Sequence, residues 1–141
     1  MNKSKYIQQH NLYPTSNKYE YATKALLITV DINMQNFHEW AILDSGATSH
    51  FLVIAAPTTD RQEATNPLSV KLSDGARVSS THTCDLAIPE IPAKDRIAHI
   101  IPGLAAHSVL SIVQLRNVGC DVSITKIACT VRYRGRLILQ G

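Results

Sequence analysis

Apolar residues along this chain come in short runs, and turn residues interrupt them about every ten positions. "ALLITVDI", from Ala25, is rich in aliphatic and β-branched residues and predicts a strand. "HEWAIL" predicts a second strand, which stops at Asp44, and the run Phe51 to Ile54 a third. "AAPTTDRQEATNP" has no apolar periodicity and reads as a loop. In "LSVKLSDGARVSSTHTCDLAI", Leu68, Val70 and Leu72 alternate with polar residues up to Asp74-Gly75, a pair favoured in two-residue hairpin turns. The return strand is expected to reach Ile88. "RIAHIIPG" predicts a further strand closed by Pro102-Gly103. "HSVLSIVQLRNVG" changes period. Ser111 is placed to cap a short helix carrying Ile112, Leu115 and Val118, with Gly119 as its stop. "CDVSITKIACTVRYRGRLIL" returns to strands around an Arg134-Gly135 turn.

Many short strands and one short helix near the C-terminal end predict an all-β fold, a small barrel or sandwich. Residues 1 to 22 are polar and read as an N-terminal arm or linker, leaving 23 to 141 as one domain.

Composition narrows the classes. Hydrophobic residues make up 45% of the 141, enough for a core, and charged residues 18%, too few for a disordered chain. No run approaches a membrane span, and the N-terminus lacks the apolar segment of a secretory signal. A net charge of +3 with scattered Lys and Arg gives no basic stripe; "VRYRGR" reads as a hairpin end, and nucleic-acid binding is not expected. The three cysteines, Cys84, Cys120 and Cys129, are widely spaced and fit a reducing, intracellular setting. His82 and Cys84 would share a strand face, but two ligands do not close a metal site, and no metal or cofactor is expected.

The candidate chemistry lies in "WAILDSGATSHF". An aliphatic run leads straight into Asp44, followed by Ser45, Gly46 and Ala47. Asp, Ser and Gly are ordinary turn residues, so a strand ending at an exposed turn is the simple reading. The alternative is a carboxylate held partly buried for chemistry.

Asp44-Ser45-Gly46-Ala47 matches the D-[ST]-G-A signature of retroviral-type aspartic proteases. Together, "ILDSGATSHF", "VKLSDGARV", "HSVLSIVQL" and "RGRLILQG" most resemble the protease or protease-like β-barrel segment of copia-type retrotransposon Pol polyproteins, over Glu39 to Gly141. The resemblance implies a closed β-barrel of retropepsin type. It implies a catalytic Asp44 and a supporting loop in which Ser45 bonds across a dimer, Gly46 turns the backbone and Ala47 packs closely. It also implies a flap turn at Ser73, Asp74, Gly75 and Ala76. The chain departs from the retroviral pattern in several places. Ser111 stands where those enzymes usually have Gly, the flap turn Ser73-Asp74-Gly75-Ala76 is not glycine-rich, the interval from Asp44 to the hairpin is longer, and His50 is common in the copia-like version and absent from the retroviral one. His50 itself reads as a loop or core-edge histidine. The chain is expected to be a piece of a longer polyprotein, acting inside cells or in retrotransposon particles.

The chemistry requires two facing carboxyls that share one proton. One Asp-Ser-Gly per chain therefore calls for a homodimer, in which Asp44 meets the Asp44 of a second copy. Retroviral relatives interleave their termini, so the strands around "VRYRGRLIL" are expected at the contact. The substrate would be the chain's own polyprotein, bound as an extended strand. A non-catalytic barrel serving as spacer, dimerisation unit or host-adopted module needs the same core, and sequence barely separates the two.

Overall fold

A computed structural model describes residues 28–31, 40–72, 75–104 and 107–141. The described residues contain twelve strands: β1 (Ile28–Asp31), β2 (Trp40–Asp44), β3 (His50–Leu52), β4 (Thr58–Glu63), β5 (Ser69–Lys71), β6 (Arg77–Ser79), β7 (His82–Leu86), β8 (Ile97–Ile100), β9 (Ser108–Ser111), β10 (Cys120–Ile124), β11 (Cys129–Tyr133) and β12 (Arg136–Gln140). Among the described residues there is also one α-helix, α1 (Ile112–Asn117), directly after β9, and a 3-10 turn at Ala93–Asp95. The described residues are mostly β, with 48% strand and 9% helical, consistent with the expected all-β class. Among the described residues, no helix is long and apolar enough to cross a membrane. The proposed arm, residues 1 to 22, lies outside the described residues.

Ten strands form one sheet in the order β10-β11-β12-β1-β2-β9-β3-β8-β7-β4, and β5 and β6 form a separate hairpin. The sheet is open. Its ends are β10 and β4, and the expected closed barrel is not found among the described residues. The far edge, β4, carries Asp60, Arg61 and Glu63, all exposed, a composition that discourages further strand pairing. β11 pairs along its length with β10 and along most of it with β12, whereas β12 meets β1 only at Asp31–Gln140.

The centre of the sheet has unusual connectivity. β9 lies between β2 and β3, parallel to β2 over four register pairs and antiparallel to β3 at Phe51–Val109. The excursion β2–turn–β3 therefore straddles β9. Both faces of this region are covered, so β2 reads as a continuous apolar run: Ala41, Ile42 and Leu43 have no exposed surface.

Alternation divides these strands between two cores. Leu43, Leu52 and Leu110 join the larger core, which also takes Ile112 and Leu115 of α1 and Val131 and Leu139 of the C-terminal strands. Phe51 and Val109 face the other way, into a smaller core with Ala47, Val70, Ile101 and Leu104. The β5–β6 hairpin covers this second face through Leu68, Val70, Leu72 and Val78. Gly103, in the turn after β8, allows the close approach. A Cβ there would lie 2.5 Å from Cγ1 of Val78.

Two expectations need correction. The segment expected to be a loop contains β4, held by backbone pairing to β7 and bent by a bulge where Asp60 adopts φ 56°. It buries almost no side chain, so it leaves no hydrophobic trace in the sequence. The expected long return strand is two strands: β6 pairs with β5, and β7 pairs with β4 and β8. Between them the chain changes sheets, with Ser80 N–H donating to Leu68 O and Thr81 N–H to Ile100 O.

Candidate active site

Asp44 ends β2 with no exposed surface. An ordinary turn aspartate would point into water. The register explains why this one does not. Asp44 pairs with Ser111 and Ile42 with Val109, so Asp44 and Ser111 project from the face that carries the smaller core and its covering hairpin. Burying a carboxylate is costly without hydrogen bonds. Its Oδ1 accepts the backbone N–H of Gly46 at 2.8 Å, which the tight turn through Ser45 delivers.

Residues 44 to 50 are tied down by one residue of β9. Ser111 Oγ donates to the carbonyl of Ala47 at 2.6 Å. It also accepts the N–H of Gln114 at 3.0 Å, capping α1. Ser111 N–H donates to Nδ1 of His50 at 3.0 Å. At the other end of β9, Val53 N–H donates to Ser108 Oγ at 3.1 Å. β3 and β9 share a single register pair, and these side chains satisfy the buried backbone groups on either side of it.

His50 is buried, and that burial, with a smaller push from His99, lowers its pKa to about 3. Burial lowers His99 as well. A neutral imidazole is required, because Nδ1 has to present a lone pair to Ser111.

The expected site residues thus fall in two groups. Asp44, Ser45, Gly46 and Ala47 form one turn, and Ala47 is buried in the smaller core. Of the expected flap turn, Ser73 and Asp74 lie outside the described residues. Gly75 and Ala76 are exposed at the hairpin tip, and Gly75 has φ +89°. Leu72 N–H donates to Ala76 O at 2.8 Å, so the bond encloses three residues and not two. The structure brings the base of this hairpin onto Ala47 and leaves its tip free of the core.

Sequence reading missed Ser111 and His50 as parts of the site. Ser111 was legible only as a helix cap, and its contacts with Ala47 and His50 span 64 and 61 residues. Other nucleophiles are poorly placed. Cys84, Cys120 and Cys129 are buried, and burial pushes the thiols of Cys84 and Cys120 up to about 11. No group of three or more metal-ligating side chains occurs among the described residues. Comparison with family models, with curated proteins and with solved structures gives no match to this chain, so the site rests on its own geometry.

Proposed function

We propose that this chain is the aspartic endopeptidase of a copia-type retrotransposon Pol polyprotein, acting inside the cell as a retropepsin-like homodimer on its own polyprotein. The observation that carries the reading is a buried carboxylate, Asp44, in a pinned Asp-Ser-Gly-Ala turn on the sheet face that a separate hairpin covers.

Two copies of Asp44 would hold one water between them and share one proton. The ionised carboxylate takes a proton from the water as its oxygen attacks the peptide carbonyl carbon. The protonated carboxyl gives its proton to the carbonyl oxygen. Collapse of the resulting diol breaks the C–N bond and passes a proton to the leaving amine. The β5–β6 hairpin acts as the cover, lifting to admit an extended peptide and closing to exclude water. The test is incubation of the purified protein with a longer form of its polyprotein. Cleavage is expected with the native chain, and a loss of at least about 10²-fold with Asp44→Asn.

One observation favours a second reading, a non-catalytic module. Asp44 is fully enclosed in the single chain, where its hydrogen bond to Gly46 suffices to shape a turn. On that reading neither protein cleaves, and the hairpin is a fixed part of the core.

A further inference from the structure

We propose that His50 is a positioning residue for Asp44: its Nδ1 accepts the buried Ser111 N–H and so fixes the residue that pins the Asp-Ser-Gly-Ala turn. The inference rests on the endopeptidase reading for its consequence in catalysis, and on geometry for the clamp itself.

Ser111 has no exposed surface, and its N–H sits where strand becomes helix, two residues beyond Val109, the β9 member of the β3–β9 register pair. A buried N–H in such a place has to find an acceptor. His50 supplies it at 3.0 Å. The same residue's hydroxyl holds the carbonyl of Ala47, three positions beyond Asp44, at 2.6 Å. Asp44 is itself the register partner of Ser111 on the opposite side of β9. The loop is therefore fixed at its start, middle and end through one backbone position. His50 reaches it from the distal side, through Ser111, and acts on the carboxylate indirectly. The donor is a backbone N–H, so the ring is in the Nε2–H tautomer. Among titratable groups, His99 lies on β8, which pairs with β3, and Asp44 on β2, one strand away across β9.

The experiment compares the full chain with His50→Leu, which removes the acceptor, and His50→Asn, whose Oδ1 can stand in for Nδ1. Hydrogen exchange is read at Gly46, whose N–H bonds Asp44, and at the β11 amides as a reference for global opening. In His50→Leu, Gly46 should exchange about tenfold faster or more while β11 does not change in proportion. His50→Asn should restore most of the protection. Cleavage of the polyprotein should show kcat falling in His50→Leu with KM little changed.

Equal acceleration at Gly46 and β11 would reduce His50 to ordinary core packing and overturn the proposal. If His50→Leu does not fold, His50→Asn decides, because a folded Asn variant with an unprotected Gly46 also overturns it. A native chain that cleaves nothing contradicts the endopeptidase reading, and the exchange results then judge the clamp alone.

Discussion

The Asp44 turn and the β5–β6 hairpin meet across the smaller core, and they are held by different forces. The turn is fixed by directional hydrogen bonds: a local one from Gly46 N–H to Asp44, and two from Ser111, to Ala47 O and to Nδ1 of His50, that depend on long-range strand pairing. The hairpin is seated by apolar side chains at its base and by a polar foot where Leu68 N–H meets Ser80 Oγ at 2.8 Å. Its tip is exposed. Hydrogen bonds fix an orientation, whereas apolar contacts are non-directional and tolerate sliding. One region can therefore hold a carboxylate in place while the other opens over it.

The largest expected effect breaks the rigid side of this comparison. Leu43 lies fully buried beside Asp44, and Leu43→Ala should cost about 2–5 kcal/mol and unfold turn and sheet together. Leu72→Ala, at the half-buried hairpin, should cost less and leave the sheet's exchange protection intact. Denaturant titrations with site-resolved exchange compare the two.

Acid should separate the regions next. His50 titrates at about 3 in the folded chain, against about 6.5 when unfolded. Between those values the unfolded chain binds a proton that the folded chain refuses, so folding stability is full above about 6.5 and falls as pH drops toward 3. Each pH unit in that window costs about 1.4 kcal/mol. His99 shifts in the same direction and adds to the loss. Melts between neutral pH and pH 4 should show a steeper fall for the native chain than for His50→Asn. This also bounds the proposed activity, because the protonated dyad and the His50 clamp make opposing demands on pH.

A smaller effect sharpens the other side. Gly103→Ala would set a Cβ 2.5 Å from Val78 Cγ1 and 3.1 Å from Val78 Cβ. It should cost about 1–3 kcal/mol and loosen the hairpin base, leaving the Asp44 turn in place. Adding Val78→Ala should recover part of that loss, which a double-mutant cycle measures.

Legibility in the sequence followed range. The β2 run ending at Asp44, the Ser111 cap with Gly119 after it, and the Arg134-Gly135 turn are local features, and all three stand as read. Gly119 and Gly135 occupy positive φ, and Arg134 joins Gly135 there at φ 51°. What the sequence hid depends on pairing between distant segments. β4 owes its existence to β7, and the break at Ser80 to the separate partners of β6 and β7. The open sheet follows from which strands end it, a matter no local pattern records. The candidate site was half legible. Asp44 to Ala47 could be read from four adjacent residues, but His50 and Ser111 join them only after β9 has threaded between β2 and β3.

The proposed mechanism needs two Asp44 carboxyls to face each other across a dimer. Its most direct test is the dimer dissociation constant of the native chain and of Asp44→Asn, measured from acid to neutral pH. Facing carboxyls repel, so the native dimer holds a proton that separated chains release, and its advantage fades as pH rises. An amide cannot ionise. Asp44→Asn should therefore dimerise relatively better than the native chain near neutral pH, and this difference should shrink toward acid. A difference that stays constant across the range would mean that the carboxyls do not meet, and would leave the non-catalytic module as the reading of this fold.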